Sequence, residues 1–142
     1  MATFKDLEPL TYFGAHDKLL AVGWLGTECD FETGTVSTEF VERTKELLRD
    51  PFQPFIFAGP HACELCQFDR PMGFANLFVP GDGFLYVMPE LAVHYMAAHH
   101  YKPPDGFREA LLQCPDMGTQ AYRIAFLDNG GRSFMSKSSF HA

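Results

Sequence analysis

Within the stretch Gly59-Pro60-His61-Ala62-Cys63-Glu64-Leu65-Cys66, three side chains that ligate soft metals fall inside six residues. A Cys-x-x-Cys pair puts two thiolates on one tight loop, where both reach a single tetrahedral ion at about 2.3 Å. Gly59 and Pro60 supply a turn just ahead of them. His61, Cys63 and Cys66 with one further donor would complete a zinc site, so Zn²⁺ is the expected cofactor. Two other chemistries compete for these residues. A redox pair wants its first cysteine at a helix N-terminus, and Gln67-Phe68-Asp69-Arg70-Pro71-Met72-Gly73 is a poor helix. Two small thiols buried in a core are the plainer alternative.

The remaining donor has to come from an element that folds back onto the knuckle. Asn76–Val79 and Phe84–Val87 read as two strands about the turn Pro80-Gly81-Asp82-Gly83. That turn lacks the lysine and following Ser/Thr of a phosphate loop. A helix is predicted from Pro89 to about His99, with Pro89 in its first turn and Glu90 near its positive end. At about 100° per residue, Glu90, His94 and Ala97 share one face, beside an apolar face of Leu91, Tyr95 and Ala98. His94 is the expected fourth ligand, set against a core histidine bonded to a backbone carbonyl. His99 lies roughly 140° around the axis from His94, so with His100 it reads as a cationic pair at the helix end. Cys29, on a polar turn, Cys114, before Pro115, and His99 itself stay open as ligands in place of His61 or His94; His16 and His141 carry no signal.

Elsewhere the apolar run Leu19–Leu25 reads as a buried strand, with Trp24 in the core and its indole N–H in need of a partner. Thr38–Arg49 reads as an amphipathic helix capped by Ser37 and ended at Asp50-Pro51. Phe55–Ala58 is expected to be a strand leading into the knuckle. Two further helices are predicted, Phe107–Gln113 after Asp105 and one from Thr119 through Leu127, stopped at Asn129-Gly130-Gly131. The expected fold is α+β: a small, mainly antiparallel sheet, three to four helices and a zinc-knuckle/hairpin/helix unit. Residues 1–131 read as a single globular domain, and 132–142 as a polar, flexible tail.

Composition narrows the function. The chain has 142 residues, 46% of them hydrophobic, with 15 Phe, which suits a packed core rather than a disordered chain. A net charge of −7 argues against nucleic acid or an anionic membrane as partner. No apolar run approaches the roughly 18 residues of a membrane helix. Lys5, Asp6 and Glu8 interrupt any export signal, so the four cysteines are expected to be reduced and the location cytoplasmic.

Several stretches together resemble an uncharacterised family of small bacterial proteins. They are Leu20-Ala21-Val22-Gly23-Trp24-Leu25, Gly59-Pro60-His61-x-Cys63-Glu64-Leu65-Cys66, Asn76-Leu77-Phe78-Val79-Pro80-Gly81, Pro89-Glu90-Leu91-x-x-His94-Tyr95, Tyr101-x-Pro103-Pro104 and Cys114-Pro115. The resemblance spans roughly residues 7–131. It implies a soluble stand-alone domain and brings no reaction or catalytic residues with it. The family pattern has His at the position of Cys29, an exchange that suits a ligand.

Three functions follow as hypotheses. The first is a zinc-binding domain with a structural metal that acts by binding another protein, since no nucleophile or acid/base pair accompanies the knuckle. The second is a zinc hydrolase with an open site, in which Glu64 or Glu90 would be the base. The third is a metal-free domain with buried thiols. A zinc deaminase is disfavoured, because no His/Cys-x-Glu precedes the motif.

Overall fold

The computed structural model describes residues 3–10, 18–28, 30–54, 61–68 and 70–135. Cys29, the expected strand Phe55–Ala58, Gly59, Pro60, His16 and His141 lie outside these residues. So do 136–142 of the expected tail.

Strand β1 spans only Leu19–Ala21, shorter than the apolar run predicts. Gly23 is the reason: at φ +78° it takes a left-handed conformation that ends the strand. A side chain there would put its Cβ 2.9 Å from that of Ala92. Trp24 is nevertheless fully buried, and its indole N–H donates to the Val87 carbonyl at 2.8 Å. Helix α1 (Thr38–Leu47) starts where expected, with the Ser37 hydroxyl accepting the Phe40 N–H at 3.1 Å, and buries Phe40, Thr44 and Leu47.

Two short strands follow, β2 (His61–Ala62) and β3 (Met72–Gly73), paired antiparallel as a ribbon. Strands β4 (Asn76–Pro80) and β5 (Leu85–Pro89) form the expected hairpin, closed by the Gly81 N–H on the Phe84 carbonyl at 2.8 Å. Helices α2 (Ala92–His99), α3 (Asp105–Gln113) and α4 (Gln120–Phe126) come next. Thr119 caps α4, accepting the Tyr122 N–H at 3.2 Å. After α4 the chain passes through Leu127–Gly131, where Asn129 and Gly130 leave helical geometry, into the short helix α5 (Arg132–Met135).

The main sheet has the order β1–β5–β4. β5 is antiparallel to β4 but parallel to β1, so the fold is α+β as expected, with the sheet mixed through the β1–β5 pair. A hairpin imposes antiparallel pairing on its two strands. By contrast, α1, the ribbon and β4 all lie between β1 and β5, a connection long enough to bring the chain back to the starting end of β1. The free side of β1 is covered by the N-terminal segment, which lies antiparallel to it: Leu7 N–H donates to Ala21 O at 2.7 Å and Leu10 N–H to Leu19 O at 2.8 Å. Every residue of β5 is buried. Helices α3 and α4 pack on β4, and α1 packs on α3, with Phe107 edge-on to both Phe40 and Tyr86. Buried hydroxyls find partners here, Tyr122 on Phe78 O at 2.7 Å and Tyr101 on both Asp6 oxygens at 2.7 and 2.9 Å.

Candidate metal centre

The β2–β3 ribbon holds the two ends of the cysteine loop together. The Cys63 N–H donates to Pro71 O at 3.0 Å, and His61 stands opposite Gly73. Gly73 has to be bare, since a Cβ there would lie 2.8 Å from Glu90 Cγ. The Glu90 carboxylate, in turn, accepts the N–H groups of Phe74 and Ala75, and the Glu90 N–H returns a bond to Ala75 O at 2.9 Å. This clasp docks the ribbon onto the start of α2. It also shifts the helix: Pro89 closes β5 opposite Asn76, Glu90 and Leu91 make a turn, and helical geometry begins at Ala92.

On that frame Cys63, Cys66, His94 and His99 form one group whose donor atoms all lie within 4.8 Å of each other. Cys66 Sγ is 3.3 Å from His94 Nε2 and 3.4 Å from His99 Nε2, and Cys63 Sγ is 3.5 Å from His99 Nε2. A tetrahedral zinc with Zn–S near 2.3 Å and Zn–N near 2.0–2.1 Å places sulfur and nitrogen about 3.5 Å apart. The spacing therefore fits that ion. Two thiolates with two imidazoles, and no carboxylate, is also a donor set of structural zinc sites.

Placing His99 in this group corrects the sequence reading, which turned it away from His94. The 140° separation describes where the two side chains leave the helix. The cysteine loop lies between those directions, and two imidazoles are long enough to converge on it. Their ring centroids stand 5.1 Å apart, nearly perpendicular. The helix ends at the same point, where His100 adopts a left-handed conformation at φ 56°. His-x₄-His was the available signal, because it falls within the His-x₃₋₅-His spacing of zinc ligands.

Cys63 is buried, whereas Cys66, His94 and His99 are half-buried. Burial lowers the pKa of His94, and the neighbouring His99 lowers it further. Both effects favour the neutral imidazole, the form that ligates metal. The side chain of His61 and all of Cys29 lie outside the described residues. Cys114 is described and stands apart from the group. Its thiol, pushed up to about 11 by burial, lies 3.4 Å from Pro115 O. Glu90, the conjectured base, has its carboxylate engaged by two backbone N–H groups.

The protein is thus a small α+β protein with a Cys₂His₂ group, set between a ribbon and a helix, that can hold a metal ion. Residues 2–112 match the family described as Domain of unknown function (DUF7919), and the chain belongs to that family. No curated protein and no solved structure matches it. Among the described residues, no helix is long and apolar enough to cross a membrane.

Proposed function

We propose that this protein binds one Zn²⁺ as a structural ion and acts by binding another protein. The observation that carries the metal assignment is the number of donors. Cys63, Cys66, His94 and His99 would fill all four positions of a tetrahedral ion. A filled shell leaves no place for a water to be activated, so the ion would lock the cysteine loop and its ribbon to the end of α2.

The protein-binding part rests on what that lock would hold in place. Phe68, two residues past Cys66, is 86% exposed, while Met72 in the ribbon and Phe74 just after it are 54% and 69% exposed. Large apolar side chains grouped in sequence around a rigid knuckle suit a contact surface. The charge of −7 favours a basic partner.

Cobalt substitution tests the first part. Tetrahedral d–d bands that ignore pH and added anions support the closed site, with about one equivalent of metal per chain. Bands that move with added acetate or phosphate would mean an open, water-bearing site and a hydrolase. Stoichiometric metal in a Cys63→Ser/Cys66→Ser variant would remove the site altogether. The second part calls for a partner that is recovered by cross-linking with the natural chain and lost with Phe68→Ser/Phe74→Ser. Equal recovery with both chains would refute the surface.

A further inference from the structure

The turn of the β4–β5 hairpin, helix α3 and the end of α4 border a cavity of about 440 Å³, within the size range of small-molecule sites. It shares no residue with the metal group. Hydrogen bonds hold its walls together. The Gly83 N–H donates to Asn129 Oδ1 at 2.8 Å, and the Asn129 side-chain N–H donates to Ala125 O at 2.7 Å, which ties the hairpin turn to α4. On the opposite wall Tyr86 is braced by the fully buried Phe107, whose ring stands edge-on to it at 5.3 Å.

Tyr86 is the polar side chain that this packing leaves unused. It is only 7% exposed, and its hydroxyl makes no hydrogen bond among the described residues, unlike the hydroxyls of Tyr101 and Tyr122. The hydroxyl opens into the cavity beside Gly106, where a Cβ would lie 3.0 Å from it. Whatever occupies the cavity therefore meets this group.

The rest of the lining defines the occupant. Its charged side chains are both acidic, Asp82 from the turn and Glu109 from α3, and among the described residues no Lys or Arg lines it. Phe84 and Tyr86 stand 4.9 Å apart at 85° and make a corner of two rings. Aromatic faces attract cations, and carboxylates in a cleft raise the local cation concentration. Calcium would call for six to eight oxygen ligands. Two ring walls with two carboxylates suit an organic cation instead.

We propose that this cavity binds an organic cation through a primary ammonium group. The ammonium would lie against the Phe84–Tyr86 corner, donate to the Tyr86 hydroxyl and be balanced by Asp82 and Glu109. A free amine and a lysine side chain of a partner protein share this chemistry.

The test is a titration of the full, nitrogen-15-labelled chain, following the Gly81 and Gly106 amides on the cavity wall. The probes are butylamine, Nα-acetyl-lysine amide and the neutral Nε-acetylated form of that amide. Both cations should move these two amides, less so as salt rises, and the neutral compound should leave them in place. Phe84→Leu should weaken binding on the order of 2–30-fold. Asp82→Asn/Glu109→Gln should weaken it on the order of tenfold, both carboxylates being exposed. Gly106→Ala should also weaken it by crowding the Tyr86 hydroxyl, while thermal unfolding shows a protein at least as stable, alanine being the better helix former. Tighter binding of the lysine amide than of butylamine supports the site with a protein as the source; the reverse supports it with a free amine. Equal binding of the neutral compound overturns the proposal, as do variants that bind like the natural chain. Shifts confined to amides away from the cavity, or none with either cation, overturn it too. These outcomes are independent of the zinc reading, since no residue of the metal group takes part.

Discussion

Replacing His99 with alanine tests the centre at the residue that helix periodicity set apart from His94 and the fold brings beside it. His99 Nε2 stands 3.5 Å from Cys63 Sγ and 3.4 Å from Cys66 Sγ, so its loss takes one donor of four and leaves both sulfurs short of a neighbour. With free Zn²⁺ at about 1,000 times the natural Kd, binding contributes about 4.1 kcal/mol to stability. Losing a direct ligand should cost more than the roughly 100-fold that marks the upper range for an outer hydrogen-bonding partner. A 100-fold loss at that Zn²⁺ level leaves about 1.4 kcal/mol of the contribution, so at least about 2.7 kcal/mol disappears. For a chain of this size the melting temperature should fall on the order of 10 °C in zinc. After chelation the same substitution should change stability by less than about 1 kcal/mol. His99 ends its helix half-buried, so without the metal its removal costs its ring contacts with His94 and Tyr95 and its interaction with the helix dipole. Calorimetry with and without chelator, paired with metal content, measures both quantities. His94→Ala should behave in the same way, whereas His61→Ala should keep its zinc, because four donors are complete without it. An His99→Ala protein with natural zinc affinity, or an equal drop in melting temperature with and without chelator, would refute the centre as drawn.

Gly23→Ala should destabilise by about 1–2 kcal/mol from its left-handed backbone alone. The 2.9 Å approach to Ala92 adds to this, and urea midpoints would show it. Arg43 joins α1 to the α3–α4 connection, donating to Cys114 O at 2.6 Å and to Asp116 at 2.8 Å. Arg43→Met should therefore cost about 1.5–3 kcal/mol, mainly through the carbonyl. Asp116→Asn, at a largely exposed ion pair, should cost about 0–1 kcal/mol by the same urea measurement. The pKa of Asp6 is raised above its ordinary 3.8, burial outweighing the bonds from Gly23 N–H and Tyr101 O–H. The native carboxyl thus takes up a proton more readily than the unfolded one, and this contribution to stability is lost as pH rises through the folded-state pKa. The melting temperature of the natural chain should accordingly fall relative to Asp6→Asn as pH rises above the ordinary carboxyl value of 3.8, a trend that paired thermal scans would reveal.

Local chemistry was legible in the sequence wherever the signal was short-range. Ser37 and Thr119 cap their helices as their residue types require, because a hydroxyl reaching a backbone N–H three residues on needs nothing from the rest of the fold. The Pro80–Gly83 turn, the hairpin around it, and the burial of Trp24 and its need for an acceptor were likewise readable. Cys63 and Cys66 stood out because their spacing alone suits a metal loop. Tertiary structure decided what distance along the chain conceals. Strand β1 pairs parallel with β5, a choice that depends on how a long connection returns rather than on any residue in either strand. Gly23 ends β1 within an apolar run by its left-handed backbone, at a point where α2 packs too closely for a side chain. Glu90 turns out to clasp the ribbon, since its acceptors' partners come from the exit of β3. The union of His94 with His99 belongs to the same category. Helix periodicity gives the direction in which each side chain departs, but a binding point beside the axis can be reached from two directions, and only the docked position of the cysteine loop says where that point lies.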